Sequence, residues 1–71
     1  MNALKFQQVL DKRGLKKEDL AKIIDKDRAT IYRRFANKGD NFTVEEAQKI
    51  KEALDLTDEE AISIFFVYLV A

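Results

Sequence analysis

Apolar residues recur along this chain at intervals of three and four, the spacing that a helix gathers onto one face. Phe6, Val9 and Leu10 predict a first helix from residue 4 to about 13, with Gly14 after it as a natural left-handed end. Leu20, Ala21 and Ile24 mark a second over residues 17–24. Ile31 and Phe35, one turn apart, mark a third over 28 to about 36, with Asp27 as N-cap. The last two starts are the best marked. Thr43 with Glu46 and Thr57 with Glu60 are capping boxes, stapled by Phe42 on Ala47 and by Leu56 on Ala61. The fourth helix should carry Val44, Ala47, Ile50 and Leu54 on one stripe. Residues 37–41, NKGDN, form the one turn-rich loop of any length, and no internal repeat interrupts the pattern.

Helices two and three are separated by Asp25, Lys26 and the cap Asp27 alone, too little chain for an easy antiparallel return. A sharp corner is implied. Short helix, tight turn and second helix make the helix-turn-helix pattern, whose second helix enters the DNA major groove.

Length and composition restrict the rest. A chain of 71 residues makes one small domain that buries roughly 60 % of its unfolded surface. Cysteine and histidine are absent, which removes disulfides and the usual transition-metal ligands. The first ten residues have neither the basic start nor the apolar run of a secretory signal, so a cytoplasmic protein is expected. The apolar run at 61–71, AISIFFVYLVA, is about half the ~20 residues that cross a bilayer. The formal charge is zero, but residues 12–38 hold ten cations against four carboxylates, +6, leaving −6 elsewhere. That split predicts one basic face directed at a polyanion.

At GLKKEDLAKIIDKDRATIYRRFANK the chain resembles the phage Cro and repressor helix-turn-helix family, also called Xre-like. The family typically reads Gly-Leu-Thr-Gln-Glu-Glu-Leu-Ala, a turn, then Ser-Arg-Ser-Thr-Ile-Ser-Arg. Gly14, Leu15, Glu18, Leu20, Ala21, Arg28, Thr30, Ile31 and Arg33 match without a gap. The likeness runs on through FTVEEAQKIKEALDLTDEEAISIFF, which is similar to small phage regulators of Gram-positive bacteria. It implies an all-α, compact five-helix lambda-repressor-like domain over residues 1–71 and a bacterial host cell. The helix-turn-helix unit lies at about 17–36, and the apolar C-terminal tail at 65–71 forms a short strand or a helix extension.

Several positions depart from the family. An arginine and glutamate that often pair are replaced by Leu10 and Phe35, an exchange of ion pair for apolar contact that proteins tolerate when both sides change. The usual turn glycine is Asp25, which can adopt the left-handed conformation. The small hydroxyl cap is Asp27, a negative charge where a phosphate contact would otherwise be expected. The Thr-Gln opening is Lys16-Lys17, and lysine is a poor cap.

With Ile31 and Phe35 inward, Arg28, Ala29, Tyr32 and Arg33 fall on the outward face of the third helix. The arginines suit guanine O6 and N7, Ala29 a thymine methyl, and Tyr32 a base edge or a phosphate. Lys16, Lys17, Asn37 and Lys38 lie at the ends of the unit, where phosphate contacts belong. Arg34 flanks the reading face and can meet a phosphate or bridge to nearby aspartates. Lys12, Arg13 and Lys22 read as solvated.

Acidic residues 58–60 are explained by capping and the helix dipole rather than by a metal or acid-base site. With no histidine, no cysteine nucleophile and no glycine-rich phosphate loop, neither an enzyme nor a cofactor is expected. In the tail, Phe65, Phe66, Val67, Tyr68 and Leu69 are too apolar for a short helix to hide entirely. They predict a surface for a second copy or a partner, part of which folds back on helices one and five. The leading expectation is a regulator that binds double-stranded operator DNA as a homodimer. A second is an antirepressor that uses the same fold to bind a repressor protein, and a small antitoxin is a third.

Overall fold

The computed structural model describes residues 1–36 and 42–66. Five α-helices follow in order: α1 (Ala3–Lys12), α2 (Lys17–Ile23), α3 (Arg28–Ala36), α4 (Val44–Leu54) and α5 (Asp58–Phe65). The expected elements are all present, with ends moved by a residue or two. The all-α helix-turn-helix architecture is therefore as expected, and no strand occurs among the described residues.

Caps account for where the helices begin. Asn2 Oδ1 accepts from Lys5 N–H at 3.1 Å and opens α1. Both capping boxes form as the sequence predicts: Thr43 and Glu46 exchange bonds of 2.9 and 3.1 Å, and Thr57 and Glu60 bonds of 3.0 and 3.1 Å. Lys16 supplies no side-chain cap for α2, because an ammonium has no acceptor. Asp19 compensates by accepting from Lys16 N–H at 2.8 Å.

Three helices end in one way. A left-handed residue, Gly14 (φ 67°), Asp25 (φ 55°) or Asp55 (φ 53°), is followed by a residue whose N–H reaches back five positions. Those bonds are Leu15 to Leu10, Lys26 to Ala21 and Leu56 to Lys51, each 2.9 Å, the Schellman arrangement. Glycine adopts this conformation without steric cost, whereas an aspartate there is mildly strained. Asp25→Gly is accordingly expected to raise the unfolding free energy by roughly 0.5–1 kcal/mol. Urea denaturation checks this, and an unchanged or lower midpoint would show that Asp25 is unstrained.

The core is built around aromatic rings. Phe6 is wholly buried, with the rings of Phe35, Phe42 and Phe65 centred 5.2, 5.8 and 5.2 Å away. Leu10, Leu20, Ile31, Ile50 and Ile64 complete the interior. Of the apolar replacements for the family's ion pair, Leu10 belongs to this cluster and Phe35, half-buried, packs against it. Asn2 N–H bonds Ile64 C=O at 2.7 Å and fastens the start of α1 to the end of α5.

Two expectations are corrected. Val44 does not share the buried stripe of α4, being 73 % exposed. It is the first residue of the helix, and its side chain leans toward the N-terminal end and past the core. Phe65, expected on a partner surface, is interior at 5 % exposure, because its ring fills the space between Phe6 and Phe42. Phe66 caps α5 and is half-buried against the core. Val67, Tyr68 and Leu69, with the strand or helix extension expected of the tail, lie outside the described residues.

Candidate nucleic-acid interface

The corner between α2 and α3 takes three residues. Asp25 reverses the chain, Lys26 N–H returns to Ala21 C=O, and Asp27 C=O accepts from Thr30 N–H at 3.0 Å. Asp27 also caps α3 through its side chain, though at 3.4 Å from Ala29 N–H. Leu20 and Ala21 of α2 and Ile31 of α3 are buried, which fixes the rotation of α3 about its axis. Arg28, Ala29, Tyr32 and Arg33 are consequently all exposed on the opposite side.

The cations divide into two groups. Arg13, Arg34, Lys49 and Lys51 are spent within the fold. Arg13 Nε donates to Leu54 C=O at 3.1 Å and its Nη2 lies 3.5 Å from Glu60, so it joins α1, α4 and α5 and is not merely solvated as expected. Lys51 meets Asp58 at 3.2 Å and Lys49 meets Glu45 at 3.7 Å. By contrast Lys16, Lys22, Lys26, Arg28 and Arg33 are exposed and have no ion-pair partner among the described residues. The acidic half of the chain is thus partly neutralised by its own cations, while Lys22 of α2, Lys26 of the corner and Arg28 and Arg33 of α3 face outward.

Arg34 points inward. Its Nη1 is 2.5 Å from Glu46 Oε1, its guanidinium lies 5.1 Å from the centre of the Phe42 ring, and its side chain is 17 % exposed. This is the bridging alternative, made to a glutamate of α4 rather than to an aspartate. Burial pushes the Glu46 carboxyl up, but Thr43 N–H, the Arg34 guanidinium and the Thr43 hydroxyl outweigh it and hold the group below its ordinary range. Sequence spacing shows Glu46 as a capping residue; nothing local announces that it also receives Arg34.

Tyr32 and Lys17 are also engaged. The Tyr32 hydroxyl donates to Glu18 Oε1 on α2. Lys17 is half-buried, with its Nζ 5.4 Å from the centre of the Tyr32 ring and 4.8 Å from that of Phe35. Fourteen residues separate Glu18 from Tyr32, so no local pattern could have paired them. Asn37 and Lys38, expected at phosphates, lie outside the described residues.

The acidic run at 58–60 serves structure as expected. Glu60 closes its capping box, and Thr57 N–H lowers its pKa, with Arg13 adding to the effect. No described helix is long and apolar enough to cross a membrane.

A family model described as helix-turn-helix matches residues 6–60, from the first turn of α1 into α5. No curated protein and no solved structure matches the chain. The match covers the corner at Asp25, the exposed face of α3 and the capped start of α4 together. The chain belongs to the helix-turn-helix family of DNA-binding regulators.

Proposed function

We propose that this chain is a sequence-specific transcriptional regulator of Cro and repressor type, which lays α3 in the major groove of operator DNA. The observation that carries the proposal is the outward face of α3. Arg28, Ala29, Tyr32 and Arg33 are exposed, and the two arginines lack internal ion pairs with described residues, while Ile31 locks the opposite side. A helix so held presents planar guanidinium forks outward, where they match guanine O6 and N7.

In this reading Arg28 and Arg33 take guanine O6 and N7, Ala29 takes a thymine methyl, and Tyr32 meets a base edge. Lys16 and Lys17, with Asn37 and Lys38, contact phosphates and set the register. We give Arg34 a structural role in place of a phosphate contact, since its guanidinium is paired with Glu46, packed on Phe42 and largely buried. One copy of so small a unit binds weakly, and a homodimer on half-sites about 34 Å apart multiplies the contacts. Phe66, Val67, Tyr68 and Leu69 remain our choice for the dimer surface. The place of action is the bacterial cytoplasm, where the operator lies.

Selection of bound duplexes from a random pool tests the proposal. A palindromic motif is expected, and Arg28→Ala and Arg33→Ala should each lower affinity for it by about 1–3 kcal/mol and relax one position. Enrichment patterns that both variants leave unchanged would remove α3 as the reading element.

A further inference from the structure

Tyr32 stands at the middle of the exposed face of α3, 43 % exposed, yet its hydroxyl is already in use. It donates to Glu18 on α2. An ionised carboxylate only accepts, so the direction of this bond is fixed: the phenol proton belongs to Glu18, and the oxygen keeps only lone pairs for anything else. The Lys17 ammonium over the Tyr32 ring holds a positive charge beside the same pair of residues, which offsets the cost of keeping a carboxylate next to a polyanion.

This geometry restricts what Tyr32 can read. The major groove offers hydrogen-bond donors at cytosine N4 and adenine N6, and acceptors at guanine O6 and N7, adenine N7 and thymine O4. A tyrosine whose proton is taken can accept from cytosine N4 or adenine N6 and has nothing to give guanine or thymine. Phosphate oxygens are acceptors too, so the phosphate contact open to Tyr32 from sequence is closed by Glu18. Resting on the DNA-reading role above, we propose that Glu18 is a positioning residue that makes Tyr32 a hydrogen-bond acceptor selective for cytosine or adenine. Glu18 touches no base itself. It acts by fixing which way the Tyr32 hydroxyl points.

The test uses the full chain and the duplex enriched by the wild type, with each half-site position replaced in turn by all four bases. Tyr32→Phe identifies the position that Tyr32 reads, as the one where base preference is lost. At that position the wild type is expected to favour cytosine or adenine over guanine and thymine by about five- to tenfold, the worth of one net hydrogen bond. Glu18→Ala frees the hydroxyl to donate or accept, and should bring that ratio close to one while the other positions keep their preferences. Those retained preferences also report that the variant folds, which a loss of structure would not allow. A wild-type preference for guanine or thymine there, or a Glu18→Ala profile identical to the wild type, overturns the role of Glu18 and leaves DNA reading standing. Failure of the wild type to enrich any duplex overturns both.

Discussion

Phe6→Ala is expected to lower the unfolding free energy by about 3–5 kcal/mol, the usual cost of emptying a buried phenylalanine site. The position is severe because Phe6 is fully buried and its ring meets three others, from α3, α5 and the segment before α4. Each ring pair adds roughly 0.5–1.5 kcal/mol beyond area burial. Domains are stable by about 0.05–0.15 kcal/mol per residue, so a chain of 71 residues has little to spare. Loss of a cooperative thermal transition by circular dichroism is the expected result. A midpoint near that of the wild type would mean that the four rings do not form one core.

The second large effect concerns Arg34 and Glu46, which tie the end of α3 to the start of α4. Arg34→Met should cost about 3 kcal/mol at neutral pH, since it leaves the Glu46 carboxylate, 10 % exposed, without its cation. Adding Glu46→Gln to that variant should recover about 1–2 kcal/mol, because the amide keeps an acceptor for Thr43 N–H and no longer buries a charge. If the double variant is less stable than Arg34→Met alone, the pair is not held together by its charges. The same pair makes the wild type acid-sensitive. Glu46 and Glu60 both have folded pKa values below their ordinary 4.5. The folded state therefore binds fewer protons than the unfolded one, and stability is complete above about pH 4.5 and drains as pH falls through the folded values. Arg34→Met should flatten that acid limb.

These residues also show where sequence is informative. Caps are local, so Thr43 with Glu46 and Thr57 with Glu60 were legible from spacing alone, whereas Asp25 in place of a turn glycine was legible only through the family resemblance. The corner between α2 and α3 followed from the three residues between them, and the outward placement of Arg28, Ala29, Tyr32 and Arg33 from the inward pair Ile31 and Phe35. What could not be read were contacts between distant segments. Arg13 reaches the carbonyl of Leu54, 41 residues away, and Tyr32 reaches Glu18, because folding brings together groups that no periodicity relates. Apolar character alone misplaced two residues for opposite reasons. Val44 is exposed since its side chain, at the first position of α4, leans past the core, and Phe65 is buried since Phe6 and Phe42 leave a site for a third ring.

Reading of DNA by α3 is tested most directly by fluorescence anisotropy of the chain on its selected duplex and on a scrambled one, measured against salt. The wild type should prefer the selected duplex, with affinity falling steeply as salt rises through counterion release. Arg28→Ala and Arg33→Ala should each reduce the preference while keeping weak binding to the scrambled duplex. Binding to neither duplex at low salt would contradict the proposal, as would a preference that neither substitution reduces.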